Sequence, residues 1–307
     1  MKYKGVDKFM KFGIHMPQKG GFVKNVKRAA GIGCQALQIF VGNPTGWAPP
    51  RLSEEELHER GEQVKEEGIN PLLVHAAYLI NLAAVNEEVF HKSVRLLQET
   101  ALRASHLQAS HVVMHIGSHG GQGFKEGMDV FMKTLDHVLK DWPPRVCLLL
   151  ENTAGAGTSL GGTFISIGTI LKALGNGVPL GVCLDTAHAW GAGYDWSTDE
   201  GFEKALTELD THVDLKNIRA IHANDTNSPR GSHRDRHAHI GEGLIGGEGF
   251  RRILSHPWPR ELPVILETPE MGSYWDAVNL GRIQFFAGMT SDLPDQSLPD
   301  PVKRPGK

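Results

Sequence analysis

The stretch RVCLLLEN, residues 145–152, decides the fold class of this chain. It is a short and continuous apolar run that ends at a carboxylate, Glu151. Such a run is typical of a strand buried on both faces, as in a parallel sheet. Seven similar runs recur at spacings of about 25 to 45 residues: FGIHM (12–16), ALQIFVG (36–42), PLLVHA (71–76), HVVMHIG (111–117), LGVCLDT (180–186), IRAIHAN (218–224) and LPVILET (262–268).

Helical patterns lie between these runs. Ser53 and Glu56 have the spacing of a capping box and predict a helix that begins there. Apolar stripes, a starting threonine or a terminal glycine predict further helices over 86–109, 163–175 and 198–213. Eight strands that alternate with helices predict an α/β fold, the (β/α)8 TIM barrel. In such a barrel the active site lies at the C-terminal ends of the strands.

The composition is that of a soluble globular protein. Of the 307 residues, 40% are hydrophobic and 22% are charged. We expect residues 1–289 to form a single barrel domain, because α/β barrels commonly have this length. Residues 290–307 are rich in proline and charge and lack periodicity, so we expect them to form a disordered tail.

The sequence favours a cytoplasmic protein. No run approaches the roughly 18 consecutive apolar residues of a membrane helix, and the start MKYKGVDKFMKFG has no apolar segment typical of a secretory signal. The cysteines Cys34, Cys147 and Cys183 lie among apolar residues and form no CxxC pair. We expect them to be reduced, buried and structural.

Histidines and carboxylates stand where most of the predicted strands end. Imidazole and carboxylate are ligands of zinc and related divalent metals. Taken singly, each residue has an ordinary explanation such as a salt bridge or a helix cap. Together they exceed what one metal can use, so they predict a multinuclear site and favour hydrolysis of a phosphate ester. The nine residues are His75, His115, Glu151, Asp185, His188, His222, Asp235, His237 and Glu267.

Other polar and glycine-rich features have weaker meanings. Four further histidines lie near the predicted site face and are candidates to orient ligands: His15, His119, His233 and His239. The glycine-rich segments GTSLGG (157–162) and GEGLIGG (241–247) do not match a phosphate-binding loop, and we interpret them as tight turns.

The net charge of −3 argues only weakly against a nucleic-acid partner. Three bound divalent ions would raise the charge by six, to +3, and would concentrate the positive charge in one cleft. The formal charge therefore leaves a polyanionic substrate open.

Three long segments resemble the signature regions of the endonuclease IV family of apurinic/apyrimidinic endonucleases. Shorter matches accompany them, and the resemblance runs over about residues 11–285 without a large gap. The long segments are LENTAGAGTSLGG (150–162), LDTAHAWGAGYD (184–195) and HANDTNSPRGSHRDRHAHIGEGLIG (222–246), and the shorter matches are FVGNPTGW (40–47) and HAAYLINLA (75–83).

The resemblance implies a barrel that holds three zinc ions in a DNA-binding groove. Such an enzyme cleaves the phosphodiester 5′ to an abasic site in double-stranded DNA and leaves a 3′-hydroxyl. All nine family ligands have an identical residue here. By this similarity, the first zinc is held by His75, His115 and Glu151, the second by Glu151, Asp185, His222 and Glu267, and the third by His188, Asp235 and His237.

The catalysis that the resemblance implies rests on the metals together with Glu151, Asp185 and Glu267. A hydroxide that bridges the first two ions would be the nucleophile, because zinc lowers the pKa of bound water from about 15.7 to about 7. Glu267 would orient this nucleophile, and the third zinc would stabilise the leaving 3′-oxygen. Manganese or iron can share such ligands, so the metal identity stays open.

The predicted DNA contacts are Tyr78, Leu79, Asn43 and Arg236. Tyr78 and Leu79 match family residues that press into the distorted duplex. Ordinary packing at a loop is the alternative interpretation of these two side chains.

Four positions depart from the family pattern. Thr45 replaces an arginine that enters the duplex in many members, and Asn227 replaces a usual lysine. Ala76 and Ile116 stand where an aspartate and a proline are common. Since the ligands are kept and two positive side chains are lost, we expect retained chemistry and a weaker grip on DNA.

Two other functions fit parts of the pattern. A sugar isomerase or epimerase of the xylose-isomerase-like barrels uses a mononuclear metal site equivalent to Glu151, Asp185, His222 and Glu267, and it has no need of the other five ligands. A protein that binds damaged DNA without cutting has no reason to keep an open trinuclear site. The number of bound metal ions, about three per chain for the nuclease and one for the isomerase, separates these two functions.

A groove-binding hydrolase needs no partner subunit, so we expect a monomer.

Overall fold

The computed structural model describes residues 10–48, 51–175 and 179–294. Its strands are β1 (Lys11–His15), β2 (Ala36–Phe40), β3 (Leu72–His75), β4 (His111–His115), β5 (Cys147–Glu151), β6 (Leu180–Asp185), β7 (Ile218–His222), β8 (Asp225–Thr226), β9 (His237–Ala238) and β10 (Pro263–Leu266). Eight of them form a closed parallel barrel in the order β1-β10-β7-β6-β5-β4-β3-β2, while β8 and β9 pair as a separate antiparallel ribbon. The predicted TIM barrel is confirmed, and each predicted strand begins and ends within two residues of the observed one.

Helices follow the barrel strands and cover the outside of the sheet. They are α1 (Phe22–Gly31), α2 (Glu54–Glu66), α3 (Glu87–His106), α4 (Phe124–Leu139), α5 (Phe164–Leu174), α6 (Thr186–Ala192), α7 (Asp199–Val213), α8 (Gly246–Ser255) and α9 (Trp275–Phe286), with a 3-10 turn at Leu215–Asn217. This alternation accounts for the parallel direction of the strands, because each crossover returns the chain to the same end of the barrel.

Side-chain caps fix where several of these helices begin. The predicted capping box is present at α2, where Ser53 Oγ accepts from the backbone N–H of Glu56 and the Glu56 carboxylate accepts from the N–H of Ser53. Thr163 and Thr198 cap α5 and α7 from the residue before each helix. These caps satisfy backbone donors that a helix start leaves unpaired.

Parallel register brings the strand ends to one level. His115 is paired with Glu151 across β4 and β5, and Asp185 is paired with His222 across β6 and β7. Side chains two residues apart share a face of a strand. These four residues therefore point into the barrel, like the residues two positions before them on each strand. We call the end of the barrel at which the strands terminate the C-terminal mouth.

The barrel interior is filled and forms no pore. A layer of buried side chains crosses it, and the larger apolar cluster lies between the strands and the helices. The inner layer consists of Ala36, Leu73, Val113, Leu149, Cys183, Ala220 and Ile265. Gly13 lets β1 approach β2 closely, since a Cβ atom there would lie 1.8 Å from the carbonyl oxygen of Ala36. Truncating Leu149 to alanine would cost about 2 to 5 kcal/mol of stability.

The three cysteines are free thiols, as predicted. Cys34 and Cys183 are buried, and burial raises the pKa of each thiol to about 12. Cys147 is only half-buried, which corrects the expectation for that residue, and burial raises its pKa to about 11. Thiols of this kind are poor nucleophiles at neutral pH.

Two further sequence expectations concern the C-terminal tail and membrane-spanning segments. Of the predicted disordered tail, residues 295–307 lie outside the described residues, and residues 290–294 have no regular secondary structure. Among the helices that the structure describes, none combines the length and apolar character needed to cross a membrane.

Candidate metal centre

Three groups of donor atoms meet at the C-terminal mouth. In each group one ligand atom per residue lies within 4.8 Å of the others. We call them the first cluster (His75, His115 and Glu151), the second cluster (Glu151, Asp185, His222 and Glu267) and the third cluster (Asp185, His188 and His237). The clusters share Glu151 and Asp185, so they form one continuous centre.

The first cluster lies at the ends of β3, β4 and β5. His75 Nε2 and His115 Nε2 each lie 3.1 Å from Glu151 Oε2. His75 Nδ1 donates to the carbonyl oxygen of Ala76 at 2.7 Å, which leaves the lone pair on Nε2 facing the cluster. A metal-binding histidine commonly has its second nitrogen fixed in this way.

The second cluster is the most deeply buried of the three. His222 Nδ1 lies 3.2 Å from Glu151 Oε1, 3.3 Å from Glu267 Oε2 and 3.9 Å from Asp185 Oδ2. Glu151 therefore presents Oε2 to the first cluster and Oε1 to the second. A carboxylate in this position can bridge two cations.

The third cluster is built by α6 and by the β8–β9 ribbon. Asp185 ends β6 and caps α6, since its Oδ1 accepts from the N–H of His188 at 2.7 Å. Asp235 is half-exposed, and its two oxygens lie 3.2 Å from His188 Nε2 and 3.0 Å from His237 Nε2. The structure thus groups His188 and His237 with Asp185, and the predicted ligand Asp235 contacts both of these imidazoles.

Backbone carbonyls orient both imidazoles of the third cluster. His188 Nδ1 donates to the carbonyl oxygen of Asn152 at 3.0 Å, and His237 Nδ1 donates to that of Glu267 at 2.8 Å. The lone pairs on Nε2 therefore point into the cluster. Nε2 of His237 is buried and makes no well-directed hydrogen bond within the described part of the chain, as expected of an atom that binds a cation.

The donor set fits divalent metals such as zinc. It combines five imidazoles with four carboxylates, which suits zinc, manganese or iron better than the all-oxygen sites of magnesium or calcium. It also concentrates negative charge in a buried place, and a buried charge is costly unless it is paired. Cations at the three clusters would supply that pairing.

Protons provide part of the pairing in the metal-free chain. Burial opposes ionisation of Glu151, but interactions led by His115 hold its pKa well below the usual range. Burial also opposes ionisation of Asp235, but the imidazoles of His188 and His237 lower its pKa. Against the effect of burial, the neighbouring Asp235 carboxylate raises the pKa of His237 to about 9. Metal binding must displace such protons and is therefore coupled to pH.

Three amide side chains that the sequence prediction missed support the ligands. Asn152 exchanges hydrogen bonds with the backbone of Asp185, and Asn224 donates to Asp185 Oδ2 at 2.7 Å while accepting from the N–H of Glu267 at 2.8 Å. Gln38 is fully buried beside the second cluster. Two signals in the sequence could have revealed these amides. Asn152 and Asn224 lie within two residues of a predicted ligand, and Gln38 interrupts an apolar strand.

The four histidines predicted to orient ligands have different positions. His15 is buried, and its Nδ1 lies 3.2 Å from Glu267 Oε1. The contacts of the other three are to residues outside the clusters: His119 accepts from Gly121, His233 bonds the carbonyl of Ala154, and His239 stacks on Trp275 at 3.7 Å. Within the described part of the chain, His15 is therefore the one of the four that lies against a ligand side chain.

The residues predicted to contact DNA lie at the rim of the same mouth. Tyr78 is 55% exposed, and its ring centroid lies 5.5 Å from that of His75 and 5.8 Å from that of His115. Leu79 is half-buried, while Asn43 and Arg236 are exposed. An aromatic side chain that is both exposed and next to ligands has apolar surface available for a partner.

The four departures from the family pattern fall into two groups. Ala76 and Ile116 are buried, and Ile116 packs over Gly161, where a Cβ atom would lie 2.5 Å from its side chain. Thr45 and Asn227 are exposed at the rim. Thr45 donates through both its backbone N–H and its hydroxyl to Asn43 Oδ1, each at 3.0 Å. The first pair affects packing, and the second changes the surface that faces a partner.

Comparison of the chain with known proteins shows the family to which it belongs. Residues 26–282 match the model of the xylose isomerase-like TIM barrel family. A probable endonuclease 4 of Natranaerobius thermophilus is 43% identical over 279 residues, which cover 91% of this chain and 98% of that protein. Endonuclease IV from Thermus thermophilus superposes with a TM-score of 0.76 at 33% identity, covering 91% of this chain and 100% of that one. A D-tagatose 3-epimerase-like protein shares the fold, with a TM-score of 0.66, 22% identity and coverage of 91% and 98%.

Proposed function

This chain belongs to the endonuclease IV family of xylose isomerase-like TIM barrels, and from this premise we propose that it hydrolyses the phosphodiester 5′ to abasic sites in duplex DNA. The product strand ends in a 3′-hydroxyl, and three zinc ions are the cofactors. Residues 1–289 form one catalytic domain, and the enzyme acts as a monomer. All nine assigned ligands belong to one chain, so completing the site requires no partner subunit.

The observation that carries the proposal is the union of the three clusters through Glu151 and Asp185. The ligands are assigned as His75, His115 and Glu151 for the first ion, Glu151, Asp185, His222 and Glu267 for the second, and His188, Asp235 and His237 for the third. When bound, such ions polarise phosphate oxygens and lower the pKa of water, which is the chemistry that phosphodiester hydrolysis requires.

The side chains of this chain hold and orient the reacting groups. Glu151, Asp185 and Glu267 are fully or largely buried, and each carboxylate is fixed by hydrogen bonds, so their oxygens need little rearrangement during the reaction. Glu267 lies at the edge of the mouth, with its side chain 14% exposed. This position suits a residue that both binds a cation and orients the attacking oxygen at the scissile phosphate.

The rim residues bind the damaged duplex. The exposed ring of Tyr78, together with Leu79, presses into the distorted duplex, while Asn43 and Arg236 contact its backbone. Thr45 and Asn227 bring no positive charge to this rim. Because contacts of basic side chains with phosphates dominate affinity for DNA, this chain binds the duplex less tightly than arginine-bearing relatives at equal salt.

A sugar epimerase is the second candidate, favoured by the shared fold of the epimerase-like structure. The residues equivalent to a mononuclear epimerase site form the second cluster alone. The first and third clusters would have no task in that reaction. Metal content of the purified protein separates the two, at about three ions per chain for the nuclease and one for the epimerase.

Strand scission tests the proposal directly. Zinc-loaded protein is incubated with a duplex oligonucleotide that carries one abasic site, beside an undamaged duplex and a Glu267→Gln variant. We expect a cut 5′ to the lesion by the wild type alone, with a product that a polymerase can extend from its 3′-hydroxyl. Protein that carries three metals and leaves the abasic strand intact would refute the proposal and direct the search to other phosphoesters.

A further inference from the structure

Gln38 lies inside the barrel, directly below the second cluster. Along β2, Ala36 belongs to the inner layer and Leu37 to the outer cluster, so alternation returns Gln38 to the inside, nearer the mouth. The side chain is fully buried within an otherwise apolar strand. A primary amide in such a place costs free energy unless its donors and acceptor are paired.

Its polar atoms are paired with residues of the centre. Gln38 Nε2 lies 2.7 Å from Glu267 Oε1 and 2.9 Å from His15 Nδ1, while Gln38 Oε1 lies 2.9 Å from His222 Nε2. One amide therefore contacts two residues of the second cluster from below. Neither the metal assignment nor the family resemblance gives this residue a role.

The carboxylate of Glu267 decides which end of the amide faces which partner. An ionised carboxylate only accepts, so the atom 2.7 Å from it must be the NH2 group of Gln38. The reversed amide would place two oxygen atoms against each other at that distance. The amide oxygen consequently faces His222 and can only accept from it.

The protonation of His222 follows from this orientation. Its Nε2 must carry the hydrogen that Gln38 Oε1 accepts. When metal binding makes the ring neutral, the proton therefore leaves Nδ1, and the lone pair resides there. Nδ1 is the atom that faces Glu151 and Glu267. We propose that Gln38 is the positioning residue of the second cluster. Its amide selects the Nε2–H form of His222 and holds the carboxylate of Glu267. Through these two contacts it sets the affinity of the second cluster for a divalent cation.

His222 differs in this respect from other histidines of the centre. His75, His188 and His237 donate through Nδ1 to backbone carbonyls and present Nε2. His222 presents Nδ1 and uses a side chain as its acceptor. Its orientation therefore depends on the identity of residue 38. This inference rests on the proposed function only in assuming that the second cluster binds a metal.

Zinc binding without DNA tests the role. Metal-free wild type, Gln38→Met and Gln122→Met are dialysed against buffers of fixed free Zn²⁺, and zinc per chain is measured. Methionine keeps roughly the volume of glutamine, cannot donate to Glu267 and is only a weak acceptor for His222. We expect Gln38→Met to need about tenfold to hundredfold more free zinc to fill one of its sites, with the others unchanged.

The control isolates the amide contacts from general effects of the substitution. Gln122 lies in the loop between β4 and α4, where its amide donates to the carbonyl of Ala83 at 2.8 Å and touches none of the clusters. Gln122→Met should follow the wild-type binding curve. Superimposable curves for wild type and Gln38→Met would overturn the proposal, whether or not the wild type cuts abasic DNA. A wild type that binds three zinc ions without cutting abasic DNA would instead refute the proposed function and leave the role of Gln38 unaffected.

A spectroscopic measurement covers the case in which Gln38→Met does not fold. Nitrogen-15 NMR of zinc-loaded wild type distinguishes the two ring nitrogens of each histidine, and a His222→Asn variant assigns the signals of His222. We expect a protonated Nε2 and a metal-bound Nδ1 for His222. A protonated Nδ1 in the wild type contradicts the proposed role of Gln38.

Discussion

Glu151 Oε1 lies 3.2 Å from His222 Nδ1, and both side chains are fully buried at the floor of the mouth. The second oxygen of Glu151 serves another cluster, 3.1 Å from His75 and from His115. One carboxylate thus belongs to two candidate metal sites, and its removal should affect both.

Glu151→Gln should reduce zinc content below that of a variant that touches one cluster, such as Asp235→Asn. An amide oxygen binds zinc more weakly than a carboxylate, and the amide nitrogen cannot bind it at all. We expect abasic-strand scission to fall more than about a hundredfold, which exceeds the loss typical of an orienting partner. Metal analysis and single-turnover cleavage provide the readouts, and equal zinc content in the two variants would exclude the bridge.

Chelation should abolish scission and lower the midpoint of thermal unfolding. Without cations, the buried carboxylates and imidazoles must be paired by protons alone, and ligands that bind only the folded chain stabilise it. Scanning calorimetry before and after chelation measures the shift. Activity should return with zinc, and parallel additions of manganese and iron would show which ions the centre accepts; an unfolding midpoint insensitive to chelation would argue against bound metal.

Thr45→Arg should tighten binding to an abasic duplex by about tenfold, the effect of one charged contact of roughly 1.4 kcal/mol. Thr45 is exposed on the rim, so an arginine there can reach a phosphate or the duplex. The slope of log affinity against log salt should become more negative by about 0.9.

Thr207→Arg is the matched control for this charge. Thr207 is exposed on α7, outside the barrel, where its hydroxyl bonds the carbonyl of Glu203. Fluorescence anisotropy at several salt concentrations compares the two variants. If both tighten binding equally, the effect is nonspecific, and the rim around Thr45 does not contact DNA.

Asp225→Ala should destabilise the fold by about 2 to 4 kcal/mol, because it removes a buried carboxylate that accepts from several backbone N–H groups. The Asp225 carboxylate accepts from the N–H groups of Gly241 and Gly243 at 3.0 Å each and of Ile245 at 3.1 Å. These bonds tie the loop after β9 to β8. Denaturant unfolding measures the loss, and a variant as stable as wild type would mean that water replaces the carboxylate.

His111 should make the fold less stable in mild acid. Burial, with a smaller effect of Arg219, lowers the pKa of His111 from about 6.5 to about 4. Between these values the unfolded chain binds a proton that the folded chain does not, so stability falls as pH drops from about 6.5 to 4, by up to about 3 kcal/mol. Metal-free wild type should lose more stability over this range than metal-free His111→Asn, as measured by urea unfolding at each pH. Parallel curves would show that His111 does not contribute.

Much of the barrel was predictable because its signal is local. An apolar run such as RVCLLLEN is short, bounded and repeated, and a strand buried on both faces requires that pattern. The convergence of the ligands on one mouth followed from their place at strand ends together with the parallel direction of the strands. Ser53 and Thr198 marked helix starts through capping chemistry that needs only neighbouring residues.

What the sequence did not reveal depends on contacts between distant segments. Helix α6 is one such feature: it begins directly after Asp185, whose side chain caps it, and the segment is too short for its periodicity to predict a helix. The β8–β9 ribbon is two residues long in each strand and pairs segments eleven residues apart, so no periodicity predicts it. The role of Gln38 required the positions of Glu267 and His222, which are 229 and 184 residues away in the chain.

The anchoring of the imidazoles also has an evolutionary consequence. Three of them are oriented by main-chain carbonyls, at Ala76, Asn152 and Glu267, and every amino acid at those positions supplies a carbonyl. Substitution of Ala76 can therefore vary the side chain and still keep the anchor of His75, which makes this anchor robust to mutation. His222 uses the side chain of residue 38 in place of such an anchor, so a single substitution at that position would weaken one metal site while every ligand is retained.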